Sequence, residues 1–137
     1  MRTNELYDGP DVADEDVLTV YVVLNGSLGM TGGKAASQSF HCGWYVAEMY
    51  RHPAGLPLET QLELHGWIEQ GRRVAVRLAE TPAVFERVKR ECDGHLARDE
   101  GMTEVDHGAE TAFVTVPYRR GDIPRVLTHK KVQLYRG

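Results

Sequence analysis

Two short segments of the chain hold residue types that can do chemistry. The first is Gly26-Ser-Leu-Gly-Met-Thr-Gly-Gly-Lys34, with a helix-patterned run behind it. Lys34 falls in the expected first helical turn, where the dipole disfavours a cation by roughly 0.3–1 kcal/mol. Its gain must lie elsewhere, as in an anionic or polarised ligand, towards which the N–H groups of the same turn also point. Gln38 and His41 follow at i+4 and i+7 and share its face. The second segment is Arg98-Asp-Glu-Gly-Met-Thr-Glu104. A carboxylate at a strand end (Asp99), a permissive Gly101 and a hydroxyl four residues on (Thr103) could converge. Such a carboxylate orients a water or a protonated amine, and such a hydroxyl donates to a developing oxyanion. Spacing alone favours plainer readings of both: a solvated helix face with an exposed lysine, and a polar turn whose Asp and Thr cap backbone groups.

Other chemistries fit less well. A P-loop needs Gly where Leu28 stands and Ser or Thr where Ala35 stands. No Gly-x-Gly-x-x-Gly occurs. A metal site from His41, Cys42, Cys92 and His95 could use the Cys92-x-x-His95 spacing, but adjacent His41 and Cys42 diverge by about 100° on a helix. No standard paired zinc spacing is present. Isolated Cys42 and Cys92 read as small buried apolar residues.

The elements that must position the two segments follow from patterning. Val17–Leu24 is a continuous β-branched and aromatic run, the mark of a buried strand. A helix is expected over 33–50, with Ala36, Phe40, Trp44 and Ala47 as its core stripe, and a second over 58–70, with Gly71 just past its end. Trp44 and Trp67 are both expected in the core. Further strands are expected at 73–79, 94–98, 111–116 and 131–135. A third helix should run from Thr81 as N-cap and Pro82 to Glu91, and a short fourth over 121–128. Strands alternating with helices predict an α/β fold: a single mixed, mostly parallel sheet with helices on both faces. Ligands in such sheets sit outside the carboxyl ends of strands, which directs attention to loops 25–33 and 99–108.

A chain of 137 residues with 42% apolar and 26% charged residues suits one globular domain. No run of about 20 apolar residues suggests a membrane span, and the acidic N-terminus lacks a secretory h-region. A soluble, cytoplasmic protein is the expectation. Residues 1–16 read as a flexible acidic tail preceding a 17–137 domain. They hold six carboxylates against Arg2, so the net charge of −4 leaves the rest of the chain at +1. That body carries its Lys and Arg in clusters: 72–73, 87–90, 119–120 and 130–131. Such clusters can hold phosphates but are usually solvated faces.

Taken together, the two segments resemble the type II peptidyl-tRNA hydrolases, the archaeal and eukaryotic kind. That family's loop Met-Gly-Lys-Gly-Lys, then Ala-Ala-Gln and a His, is matched by Met30-Thr-Gly-Gly-Lys-Ala-Ala-Ser-Gln38 and His41. Its later Asp-Ala-Gly-x-Thr loop and apolar strand are matched by Arg98–Glu104 and Ala112–Val116. The resemblance covers about residues 17–135. It implies hydrolysis of the ester joining a peptide to the 3′ end of tRNA, without metal or other cofactor. It maps catalytic roles onto Lys34, Gln38, Asp99 and Thr103, with Gly33, His41, Arg98 and Gly101 as substrate-binding positions. It implies tRNA as partner, clustered arginines on its backbone, and a possible homodimer. Two departures weaken phosphate attraction: Gly32 replaces the loop's first lysine, and Glu100 stands beside Asp99. They leave one alternative, a catalytically diverged hydrolase-like domain acting as a binding or regulatory module.

Overall fold

The computed structural model describes residues 12–99 and 108–136. Their strands are β1 (Leu18–Asn25), β2 (Val74–Ala79), β3 (Gly94–Arg98), β4 (Glu110–Thr115), β5 (Tyr118–Arg119) and β6 (Val132–Leu134). The helices are α1 (Gly32–Arg51), α2 (Leu58–Glu69) and α3 (Pro82–Glu91). One sheet runs in the order β3-β4-β1-β2-β6, with β5 pairing the start of β1. Central β1 is buried on both faces, which is why it reads as an unbroken apolar run. Leu18, Val20, Val22 and Leu24 face one core, shared with α1 and α2. Tyr21 and Val23 face another, shared with α3 and the Val126–Leu127 turn.

The mixed α/β sheet with helices on both faces is as expected, but it is mostly antiparallel. Only β1 and β2 pair parallel; every other pairing is antiparallel. A parallel neighbour needs a crossover of about a dozen residues. Such crossovers precede β2 and β3, whereas β5 follows β4 after two residues and the twelve residues before β6 are taken up by two 3₁₀ turns. The α3 crossover does give β3 the direction of β1, but it seats β3 beyond β4. The carboxyl ends of β1, β2 and β3 therefore share one edge.

Helix α1 turns the opposite way from its expected stripe. Phe40 and Trp44 are 74% and 58% exposed, and Ala36 and Ala47 are exposed beside them. The buried face is Ala35, Gln38, Cys42 and Val46. Small side chains let the helix lie close to the sheet, and that face alone carries Gln38 inward; the bulky aromatics stay outside. Trp67 is buried as expected, its Nε1 donating to Arg73 O at 2.8 Å. The short helix over 121–128 is instead two 3₁₀ turns, Arg120–Asp122 and Arg125–Thr128. Pro124 holds the preceding Ile123 extended (φ −62°, ψ 128°) and so interrupts a helix. The short β5 is an element that the patterning does not announce. Asp14–Asp16, in the expected tail, form a 3₁₀ turn tied to Gln70 and Arg119.

Two glycines fix the chain path. A Cβ on Gly26 would lie 2.5 Å from Ala79 O, so only glycine lets the turn after β1 cross the end of β2. Gly71 (φ 101°) ends α2 in a Schellman motif, with Arg72 N donating to Trp67 O and Gly71 N to Ile68 O. Gly71→Ala should cost about 1–2 kcal/mol, read as a lower urea midpoint at unchanged slope.

Candidate functional site

The shared carboxyl edge gathers the chemistry. Thr31 caps α1, its Oγ1 accepting from Lys34 N at 3.3 Å. That capped turn aims Lys34 over the end of the sheet, where Asp99 follows β3. The two form an ion pair, Lys34 Nζ to Asp99 Oδ1, with side chains 8% and 3% exposed. The anion that offsets the helix dipole is thus Asp99 itself. Gln38, one turn on, reaches the same Oδ1 with its Nε2 at 3.5 Å. Thr111 of β4 donates to Gln38 Oε1 at 2.7 Å, which orients the amide with its NH₂ towards the carboxylate. The Asp99 backbone is pinned as well: its N–H donates to Ala109 O at 2.8 Å and its C=O accepts from Gly108 N at 2.7 Å.

A buried ion pair is weak evidence for stability, because desolvation offsets its attraction. Its value lies in a fixed ammonium beside a fixed carboxylate at the mouth of a sheet. Such a pair can hold a water on the carboxylate and meet negative charge developing on a carbonyl oxygen.

The other expected positions are placed differently. Gly33 is exposed in the first turn of α1, where an added Cβ would meet nothing within 4 Å. His41 is exposed two turns along α1, outside the hydrogen-bonded group. Arg98 is exposed; its guanidinium meets Glu110 at 3.3 Å and Gly108 O at 3.4 Å. Glu110 is also held by Lys89, whose hydrogen bond and charge keep its carboxyl below the usual range. Gly101 and Thr103 lie outside the described residues.

Thr111 escapes sequence reasoning although it anchors Gln38. The available signal is a hydroxyl at the head of an apolar strand, since a fully buried hydroxyl needs a partner. Asn25 is similar: at the end of β1 its Nδ2 donates to Glu110 O at 2.9 Å. The metal candidates do not converge. Cys42 and Cys92 sit in cores on opposite faces of the sheet, and burial pushes both thiols up to about 12. No group of three or more possible ligands occurs among the described residues. Nor is any helix among them long and apolar enough to cross a membrane.

Comparison with known proteins bears on this arrangement. A family model described as "Peptidyl-tRNA hydrolase PTH2" matches residues 18–133. A curated protein of Drosophila melanogaster, "Probable peptidyl-tRNA hydrolase 2", is 28% identical over 123 residues, which cover 85% of this chain. The match spans 62% of that relative's length.

The ion pair makes a stability prediction. Lys34→Met or Asp99→Asn alone strands a buried partner and should cost about 3–5 kcal/mol. The double variant should lose clearly less than the sum of the two. A double-mutant cycle by urea denaturation checks this; additive losses would mean that the two charges do not support one another.

Proposed function

Since the chain belongs to the peptidyl-tRNA hydrolase PTH2 family, we propose that it hydrolyses the ester bond of peptidyl-tRNA and so returns stalled tRNA to use. The observation that carries this reading is the buried Lys34–Asp99 pair, braced by Gln38, at the carboxyl edge of the sheet. Asp99 accepts a hydrogen bond from the attacking water and takes its proton as the oxygen bonds to the ester carbon. Lys34 lies against the oxyanion that forms. When the tetrahedral intermediate collapses, the ester C–O bond breaks and the proton passes to the leaving ribose oxygen. The products are a peptide acid and a free tRNA 3′ end. Gln38 is a positioning residue for Asp99. Thr103 keeps the oxyanion-stabilising role that the resemblance implies, with Gly33, Gly101, His41 and Arg98 around the substrate. No step calls for a cofactor. The setting is the cytoplasm, and residues 17–137 act as one domain behind an acidic N-terminal segment.

The test is release of N-acetyl-amino acid from N-acetyl-aminoacyl-tRNA by the purified protein. Lys34→Ala and Asp99→Asn should each lower kcat/KM at least 100-fold, about 2.7 kcal/mol of transition-state stabilisation. A folded wild-type protein that turns over nothing at micromolar concentration would sink the hydrolase reading.

A second copy of the chain is the partner proposed for the outer face of α1. Phe40 and Trp44 stand out from it between the small residues Ala36, Gly43 and Ala47. A two-fold axis would set each copy's aromatics over the other's small positions. Light scattering should then give twice the 15.4 kDa chain mass. Phe40→Glu with Trp44→Glu should return it to one.

A further inference from the structure

Strand β3 closes one flank of the sheet, and Asp99 follows it directly. In the order β3-β4-β1-β2-β6 it has β4 on its inner side and no strand on its outer side among the described residues. Asp93 O accepts from Val116 N at 3.0 Å, and Asp99 N donates to Ala109 O at 2.8 Å. The odd-numbered residues here therefore spend their backbone groups on β4. By the same alternation the N–H and C=O of Leu96 and Arg98 point outward, and no backbone or side-chain partner takes them among the described residues.

This flank is unguarded. Open strands are normally blunted by shortness, by Lys or Pro, or by a bulge. The opposite flank follows that rule: β6 has three residues and comes straight after Lys130 and Lys131. By contrast, β3 has five residues and neither Lys nor Pro. Its register slip at Ala97/Arg98 leaves the extra residue, Thr111, on β4, so the outer strand stays regular. The strand is also held in place. Ala97 is buried in the first core, and the His95 and Tyr45 rings pack with centroids 3.9 Å apart. Gly94 lies so close to β4 that an added Cβ would run into Val114 O.

The strand leads to the site. His95, Ala97 and Asp99 share the face towards α1. From Leu96 to Asp99 is three residues, about 10 Å. A chain laid along this flank with its last carbonyl at Asp99 runs parallel to β3, and its preceding residues lie opposite Arg98 and Leu96.

We propose that the outer side of β3 binds the peptide part of the substrate as an added parallel strand, with the ester carbonyl at its carboxyl end held at Lys34 and Asp99. This rests on the hydrolase reading above. Peptides on stalled tRNA share a main chain and no common side-chain sequence. Strand addition draws its affinity from main-chain hydrogen bonds, so it accepts any of them. Because backbone groups alternate along a strand, only every second peptide amide bonds to β3.

Two measurements test it. First, kcat/KM is compared for N-acetyl-aminoacyl-tRNA and for N-acetyl-tetrapeptidyl-tRNA with the same ester-linked residue. The longer substrate should be favoured at least tenfold, whatever its other three side chains. Leu96→Pro should cut that ratio at least fivefold; proline is tolerated on an outer strand where the lost N–H faces solvent. N-methylation of the peptide should act alternately: a methyl at either the second or the third residue from the ester removes the advantage, and at the other leaves it. Equal kcat/KM for short and long substrates, or methyl groups that act alike at neighbouring residues, would overturn the proposal. Second, binding is followed without turnover, by fluorescence anisotropy of the same peptides joined through an amide to 3′-amino-3′-deoxyadenosine. The same alternation and the same loss in Leu96→Pro are expected. Alternating binding with no hydrolysis of any ester would fault the hydrolase reading and leave the strand site standing. Binding without alternation overturns the site whether or not the esters turn over. If methylation has no effect while Leu96→Pro converts a dimer to a monomer, the flank belongs to a second copy and the proposal falls.

Discussion

The arrangement depends on one constraint: two opposite charges must be kept together out of water. Lys34 and Asp99 are 65 residues apart and nearly inaccessible. Neither is tolerable there alone, since a buried unpaired charge costs several kcal/mol. The fold meets this by bringing one capped helix start and one strand end to the same place. Thr31 sets the first turn of α1, the Ala109 and Gly108 backbone holds Asp99, and Thr111 fixes Gln38 between them. The sheet has to deliver three strand ends to one edge, and the direction shared by β1, β2 and β3 does so.

The same constraint explains how α1 lies. An amphipathic helix normally turns its largest apolar side chains to the core. Here the inward face is Ala35, Gln38, Cys42 and Val46, while Phe40 and Trp44 face out. Rotating α1 to bury the aromatics would withdraw Gln38 from Asp99 and lift the helix off the sheet. Packing area is given up for the position of one amide. The outward aromatics are then what a second copy could cover.

Much of this was legible in the sequence, and the failures share a cause. Buried β1, the Thr81-Pro82 start of α3 and the Gly71 stop of α2 follow from local rules acting within a few residues. Lys34 and Asp99 could be singled out because a lysine in a first helical turn and a carboxylate at a strand end each need an explanation. The errors concern which neighbours an element has. Alternating strands and helices predict the direction of β3 but not that β4 lies between β3 and β1. Two apolar stripes compete on α1, and only the distant partners Asp99 and Thr111 decide between them. Thr111 looks like any β-branched strand residue until Gln38 is beside it.

Charge is where sequence totals mislead most. A net −4 argues against a nucleic-acid partner, yet many of the body's carboxylates are engaged locally. Glu86, Glu91 and Glu110 answer the cations of α3 and Arg98, and Glu63 and Asp16 answer Arg119. Potential at a surface is set within about a Debye length, roughly 8–10 Å at physiological salt. Pairs neutralised at 2.5–4 Å add little to it, and what remains is the excess that no carboxylate answers. Among the described residues that excess includes the exposed Arg72, Arg73, Arg125, Lys130 and Lys131, none of which has a carboxylate partner there.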